Sequence, residues 1–279
     1  MQTSRLTFLQ RHAYDIGAAL GACAWPFLGR RRRVAVENVL RAKVTDDPRE
    51  ARRIAKRSLC HLAGHIGEAL FVPGVVTKEN YREHLDVEGA PADAVKLLLD
   101  EPEKPILLVS SHHGVWEAAT NTLSFARPMI AIARVQNNRL VAKWMKKHHF
   151  RGPVTIVDKN HGFTPAVLEQ WQATNAAMTI LMDQYTWKGP LLSFFGRPAR
   201  TYTTAARLAI RTGVPIVVGS FVRIAPYRYR LVAPGGGVVT FAKDADRNAA
   251  TQLLNDRLEA AIRAYPEQYL WLHRRWRDD

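Results

Sequence analysis

Pro105-Ile106-Leu107-Leu108-Val109-Ser110-Ser111-His112-His113-Gly114-Val115-Trp116-Glu117 decides how this 279-residue chain is read. An apolar run rich in β-formers ends in Ser, Ser, His, His and Gly, and an alanine-rich helical pattern follows. The segment therefore predicts a strand, a tight turn and a helix. In open α/β sheets the carboxyl ends of strands border the ligand crevice, so histidines at such an end are chemical candidates. Were His112 and Glu117 on one helix, five steps of about 100° would leave them some 140° apart. His112 is therefore expected in the turn, folding back so that Glu117 holds Nδ1–H and Nε2 stays free as a general base toward a hydroxyl. His113 and Glu117 are four apart, and this competing pair stays open if the helix begins early.

His112-His113-Gly114-Val115-Trp116-Glu117, read as His, four residues, Glu, resembles the active-site signature of the lipid A biosynthesis acyltransferases. That family also includes the mycobacterial phosphatidylinositol mannoside acyltransferases. Asp183-Gln184 followed by Phe194-Phe195-Gly196-Arg197-Pro198-Ala199 and Thr201 is similar to its second block. Pro266 to Trp276 is similar to its C-terminal signature, and Arg32 to Leu40 is a weaker fourth match. The four stand in family order and span nearly the whole chain.

The resemblance implies an α/β fold like that of glycerol-phosphate acyltransferases, with a mixed central sheet flanked by helices and an N-terminal helical extension. Residues 1–75 would form the extension and 76–279 the acyltransferase part, together one compact domain. It further implies transfer of a fatty acyl group from an acyl carrier protein thioester to a hydroxyl of a lipid A precursor. His112 and Glu117 would be catalytic, and Arg134, Asp183, Gln184, Phe194, Phe195 and Arg197 would bind substrate. No cofactor is implied, because a thioester is already an activated donor. The alternatives are another lipid acceptor, such as a lysophospholipid, an amino-acid lipid or a phosphatidylinositol mannoside, and a non-catalytic basic module binding membrane or nucleic acid.

The residues themselves support parts of this reading and leave others open. Two His and a Glu, with His148, His149 and His161, suggest zinc as a rival, but no pair has the spacing of a zinc helix motif. Forty Lys and Arg against 25 Asp and Glu give a formal charge of +15, a field that favours anionic partners. An acidic carrier protein and an anionic membrane surface both qualify; nucleic acid is disfavoured only by the resemblance. Two cysteines argue against a disulfide framework and fit a reducing setting.

No segment reaches the ~20 apolar residues of a membrane span. The uncharged run from Ile16 to Gly29 is instead expected to lie in the interface, with Trp25 and Phe27 dipping in and Arg30 to Arg33 meeting phosphates. Attachment would then be peripheral, on the cytoplasmic face of an inner membrane. Asp47 and Pro48 open a helix to about Phe71, with Ala51, Ile54, Leu59, Leu62 and Ile66 expected inward. Strands are expected at 129–133, 154–157, 177–182 and 215–221, with Tyr227 to Val232 pairing antiparallel to the last. Arg134 is expected to follow a strand, where it could bind a phosphate bidentately, and Asp183 to follow another, at the sheet edge that carries His112. The adjacent Phe194 and Phe195 are expected to cover something apolar, either an acyl chain or the neighbouring core.

Overall fold

A computed structural model describes residues 6–133, 152–158 and 164–277. The helices are α1 Phe8–Ala24, α2 Gly29–Arg41, α3 Pro48–Ala69, α4 Val72–Val75, α5 Ala92–Leu99, α6 Trp116–Leu123, α7 Pro165–Ala173, α8 Thr204–Thr212 and α9 Arg247–Ala264. The central sheet contains β2 Ile106–Ser110, β3 Met129–Ala133, β4 Val154–Asp158, β5 Ala177–Leu181, β8 Ile216–Val218 and β11 Val238–Val239, in the order β11-β8-β2-β5-β3-β4. Every neighbour pair is parallel except β11 with β8. This is the α/β architecture expected from the strand-turn-helix reading, with β2 and β5 side by side in the middle.

Both faces of the sheet are covered, which is why its strands read as continuous apolar runs. Side chains alternate: Ile106 and Leu108 of β2 enter one core with Leu97, Leu98, Ala118 and Leu123 of α5 and α6. Leu107 and Val109 enter the other with Trp171, Leu208, Leu254 and Leu258 of α7, α8 and α9. Ser110 stands opposite Leu181, so the two central strands end in step.

The stretch expected as one strand over 215–221 divides at Gly219, whose N–H donates to Val109 O at 3.0 Å. Beyond it β9 Ser220–Ala225 leaves the central sheet and pairs antiparallel with β10 Arg228–Val232, as expected of residues 227–232; β10 also pairs parallel with β1 Leu85–Asp86. A hairpin of β6 Leu191–Phe194 and β7 Arg197–Arg200 stands apart.

The N-terminal helices are tied to the rest of the chain. Asn38 of α2 donates through Nδ2 to the carbonyls of Trp271 at 2.8 Å and His273 at 2.7 Å. Helix α3 is capped by Asp47, which accepts from Arg49 N, as its sequence predicts. Ala51, Ile54 and Leu59 are buried as expected, but toward the C-terminal end the inward positions are Ser58, His61, His65 and Glu68, while Ile66 is exposed. The helix packs closely on α1, where an added Cβ at Gly17 would strike the Ala63 carbonyl. Trp25 is also a correction, being buried in a core with Ala35, Val39 and Trp271, whereas Phe27 is 88% exposed.

Candidate active site

The end of β2 is locked into a turn by backbone bonds on three sides. Gly114 N–H donates to Gln268 O at 3.0 Å, Val115 N–H to Phe221 O at 2.7 Å, and Leu270 N–H to His112 O at 2.9 Å. Gly114 has φ +69°, and a Cβ there would collide with the Phe221 carbonyl oxygen, so only glycine fits. Val115 then turns the chain again before α6 begins at Trp116.

Because β2 and β5 end in step, the residues just beyond them meet. His112 Nδ1–H donates to Asp183 Oδ1 at 2.9 Å, and the Gln184 amide lies 3.2 Å from His112 Nε2. Asp183 is buried and His112 partly open. Burial pushes the Asp183 carboxyl up, but the charge and hydrogen bond of His112 more than offset this, leaving it below the usual carboxylate value. Tyr269 stands beside it as a neutral phenol, its ionisation pushed well up by burial and then by the charge on Asp183. The Trp116 ring meets His112 edge-on, with 5.3 Å between centroids.

This corrects the expected dyad: the carboxylate on Nδ1 is Asp183, not Glu117. The two turns at Gly114 and Val115 separate His112 from the first helical turn, in which Glu117 sits half-buried. His113 is also resolved. It is fully buried and donates through Nε2 to Tyr265 O at 3.0 Å, with burial lowering its pKa to about 4. It is a packing residue of the C-terminal segment.

Other expected residues distribute unevenly. Asp183 and Gln184 reach the site. Phe194 and Phe195 are buried among Trp271, Trp276 and Ile262, so what they cover in this structure is the neighbouring core. Arg197 is exposed at the start of β7 and is not brought to His112. Arg134, His148, His149 and His161 lie outside the described residues. Among the described residues no group of three His, Cys, Asp and Glu side chains is placed to hold a metal ion.

The supporting shell was not anticipated. His61 of α3 donates through Nε2 to Gly114 O at 3.0 Å and accepts at Nδ1 from the Tyr14 hydroxyl at 3.0 Å. Burial lowers the His61 pKa to about 3, so the ring stays neutral and keeps this tautomer. Gln268 clamps the backbone of Arg223 at both its N–H and its carbonyl, each at 2.9 Å. Arg275, itself buried, donates to Thr201 Oγ1 at 2.7 Å and to the carbonyls of Gln184 and Arg200, joining the Asp183 loop to the hairpin. His273 Nε2 accepts from Tyr185 N–H at 3.0 Å, and burial lowers its pKa to about 4. The signal available in the sequence was His61, His65 and Glu68, spaced to share one face of α3.

An imidazole held at Nδ1 by a carboxylate, with only the Gln184 side-chain amide at Nε2, is an arrangement for taking a proton from a hydroxyl. Two curated proteins are similar over most of their length. They are the lipid A biosynthesis palmitoleoyltransferase of Escherichia coli (strain K12) and the lipid A biosynthesis acyltransferase of Shigella flexneri. Each is 28% identical over 273 residues, covering 94% of this chain and 84% of the relative. The family model described as bacterial lipid A biosynthesis acyltransferase matches residues 7–278. Matched almost end to end, this acyl-transferring enzyme belongs to the bacterial lipid A biosynthesis acyltransferase family.

Proposed function

We propose that the chain moves a fatty acyl group from an acyl carrier protein thioester to a hydroxyl of a lipid A precursor. The observation that carries the reading is His112 held by Asp183 at the crevice end of the two central strands. The acceptor hydroxyl replaces the Gln184 amide at Nε2 and gives up its proton there as its oxygen attacks the thioester carbonyl. The C–O bond forms, the C–S bond breaks, and the departing thiolate takes the proton back from Nε2. Asp183 fixes the tautomer and stabilises the imidazolium formed in between. Glu117 keeps a place as the carboxylate of the His–Glu signature, acting on the acceptor side, since Nδ1 is already occupied.

The setting we propose is the cytoplasmic face of the inner membrane, with peripheral attachment. No helix among the described residues is long and apolar enough to cross a membrane. Leu9, Ile16, Leu20 and Phe27 are exposed at a spacing that lines one side of α1 and its continuation, and Arg30 to Arg33 follow. The formal charge of +15 suits both an acidic carrier protein and anionic lipid. The test is transfer of labelled acyl groups from acyl carrier protein to lipid A precursors and lysophospholipids, with wild type and His112→Ala compared. Transfer to the lipid A precursor that vanishes in His112→Ala supports the reading; transfer to no lipid hydroxyl sinks it.

A further inference from the structure

Helix α2 begins against its own electrostatics. Its first residues are Gly29, Arg30, Arg31, Arg32 and Arg33, with no side-chain cap and no acid in the first turn. A helix N-terminus is the positive end, where carboxylates are stabilising and cations are not. Facing it, the C-terminal segment presents Arg274 and Arg277. Two adjoining clefts lie between these elements. One of ≈ 310 Å³ is lined by Arg30, Arg33, Arg41 and Arg274, and one of ≈ 400 Å³ by Arg30, Arg31, His273, Arg274 and Arg277.

Among the described residues Glu37 is the one acid lining either cleft. Among the described residues Arg30, Arg33 and Arg274 form no salt bridge. The walls are nevertheless pre-organised, because Arg31 Nη1 donates to Leu272 O at 3.3 Å and Asn38 Nδ2 to His273 O. Several arginines lining one cleft suit a phosphate, which accepts several charge-assisted bonds at once. The larger cleft also approaches the chemistry. His273 lines it and accepts from Tyr185 N–H, and Tyr185 follows Gln184, the residue against His112.

We infer that this arginine cleft between α2 and the C-terminal segment binds a phosphate ester carried by one of the two substrates. The inference rests on the proposed acyl transfer for its purpose, but the anion site itself does not. Two sources share the chemistry, the phosphate of a phosphorylated lipid acceptor and the phosphodiester of the carrier's pantetheine arm.

The experiment uses the full chain with Arg33→Gln and Arg274→Gln, singly and together, and Arg49→Gln with Arg52→Gln as exposed controls of equal charge change. Isothermal titration with inorganic pyrophosphate at low ionic strength needs no turnover, so it still decides whether the anion site exists if no acyl transfer is found. Binding should weaken tenfold or more in the double variant and little in the control. In acyl transfer, a tenfold rise in KM for the phosphorylated acceptor, absent with its phosphatase-treated form, assigns the acceptor. The same rise for the acyl carrier thioester assigns the donor. The inference is overturned by equal weakening in control and double variant, or by unchanged KM for both substrates. It is also overturned if phosphatidylglycerol vesicle binding is lost while pyrophosphate binding and both KM values persist, which would make the arginines a membrane contact.

Discussion

His112 and Asp183, 71 positions apart, are joined by a 2.9 Å hydrogen bond from Nδ1 to Oδ1 across the ends of two adjacent parallel strands. The bond leaves Nε2 as the acceptor and commits the ring to one tautomer. Strand register creates the pair, since Ser110 and Leu181 are opposite and each catalytic candidate lies two residues further on.

Asp183→Asn should therefore lower kcat by roughly 10²- to 10⁴-fold with little change in KM for either substrate. The amide keeps the volume but removes the charge that stabilises the imidazolium, and its NH₂ favours the wrong tautomer. Steady-state acyl transfer, with circular dichroism to confirm folding, makes the check. A fall of less than about threefold would remove Asp183 from the mechanism.

Much of the sheet was legible because buried parallel strands announce themselves as apolar runs, and β2, β3, β4 and β5 each stand where such a run stands. The position of His112 in a turn was legible from the strand-turn-helix pattern, although the partner assumed in arguing it was Glu117. Its true partner was not, because Glu117 is near in sequence while Asp183 becomes near only through the order of strands. The inward face of α3 was legible in its first half, where Ala51, Ile54 and Leu59 are buried as their spacing predicts, and not in its second. There polar side chains with partners of their own, His61 and Glu68, take the inward positions and Ile66 is left out, which an apolar pattern cannot announce. Phe194 and Phe195 were recognised as covering something, and only packing against Trp271 and Trp276 decided what.

Gly114→Ala should disable the turn even though the change adds one methyl. At φ +69° a side chain is strained, and the Cβ meets the Phe221 carbonyl that Val115 N–H needs. A loss of about 2 kcal/mol or more in urea unfolding is expected, with activity falling further than stability accounts for. Wild-type values for both would mean that the turn relaxes without cost.

His61 positions the same turn from beneath, so the nature of its replacement should matter. His61→Leu leaves the Gly114 carbonyl without its donor, a cost of about 1–3 kcal/mol for a buried acceptor. His61→Gln retains an N–H able to reach that carbonyl. We expect kcat to fall at least tenfold in the leucine variant, KM to hold, and the glutamine variant to recover a substantial part of the rate. Equal losses in both variants would reduce His61 to packing.

Acid should unfold this protein earlier than its carboxylates alone would dictate. His61, His113 and His273 are held neutral by burial, with pKa values lowered to about 3, about 4 and about 4. In the unfolded chain each returns to about 6.5, so between roughly pH 4 and 6.5 the unfolded state binds more protons. Stability is then fully present above pH 6.5 and falls as the pH drops toward the folded values. Each histidine contributes at most about 1.4 kcal/mol per pH unit in that window. Glu68 works in the opposite sense by one proton, because burial raises its pKa despite Arg223 beside it. Urea midpoints at pH 7.5, 6 and 5 should decline in step, and His273→Gln, whose amide oxygen can still accept from Tyr185 N–H, should flatten the decline by one proton's share. A midpoint that holds from pH 7.5 to 5 would show that these rings are not neutral because of burial.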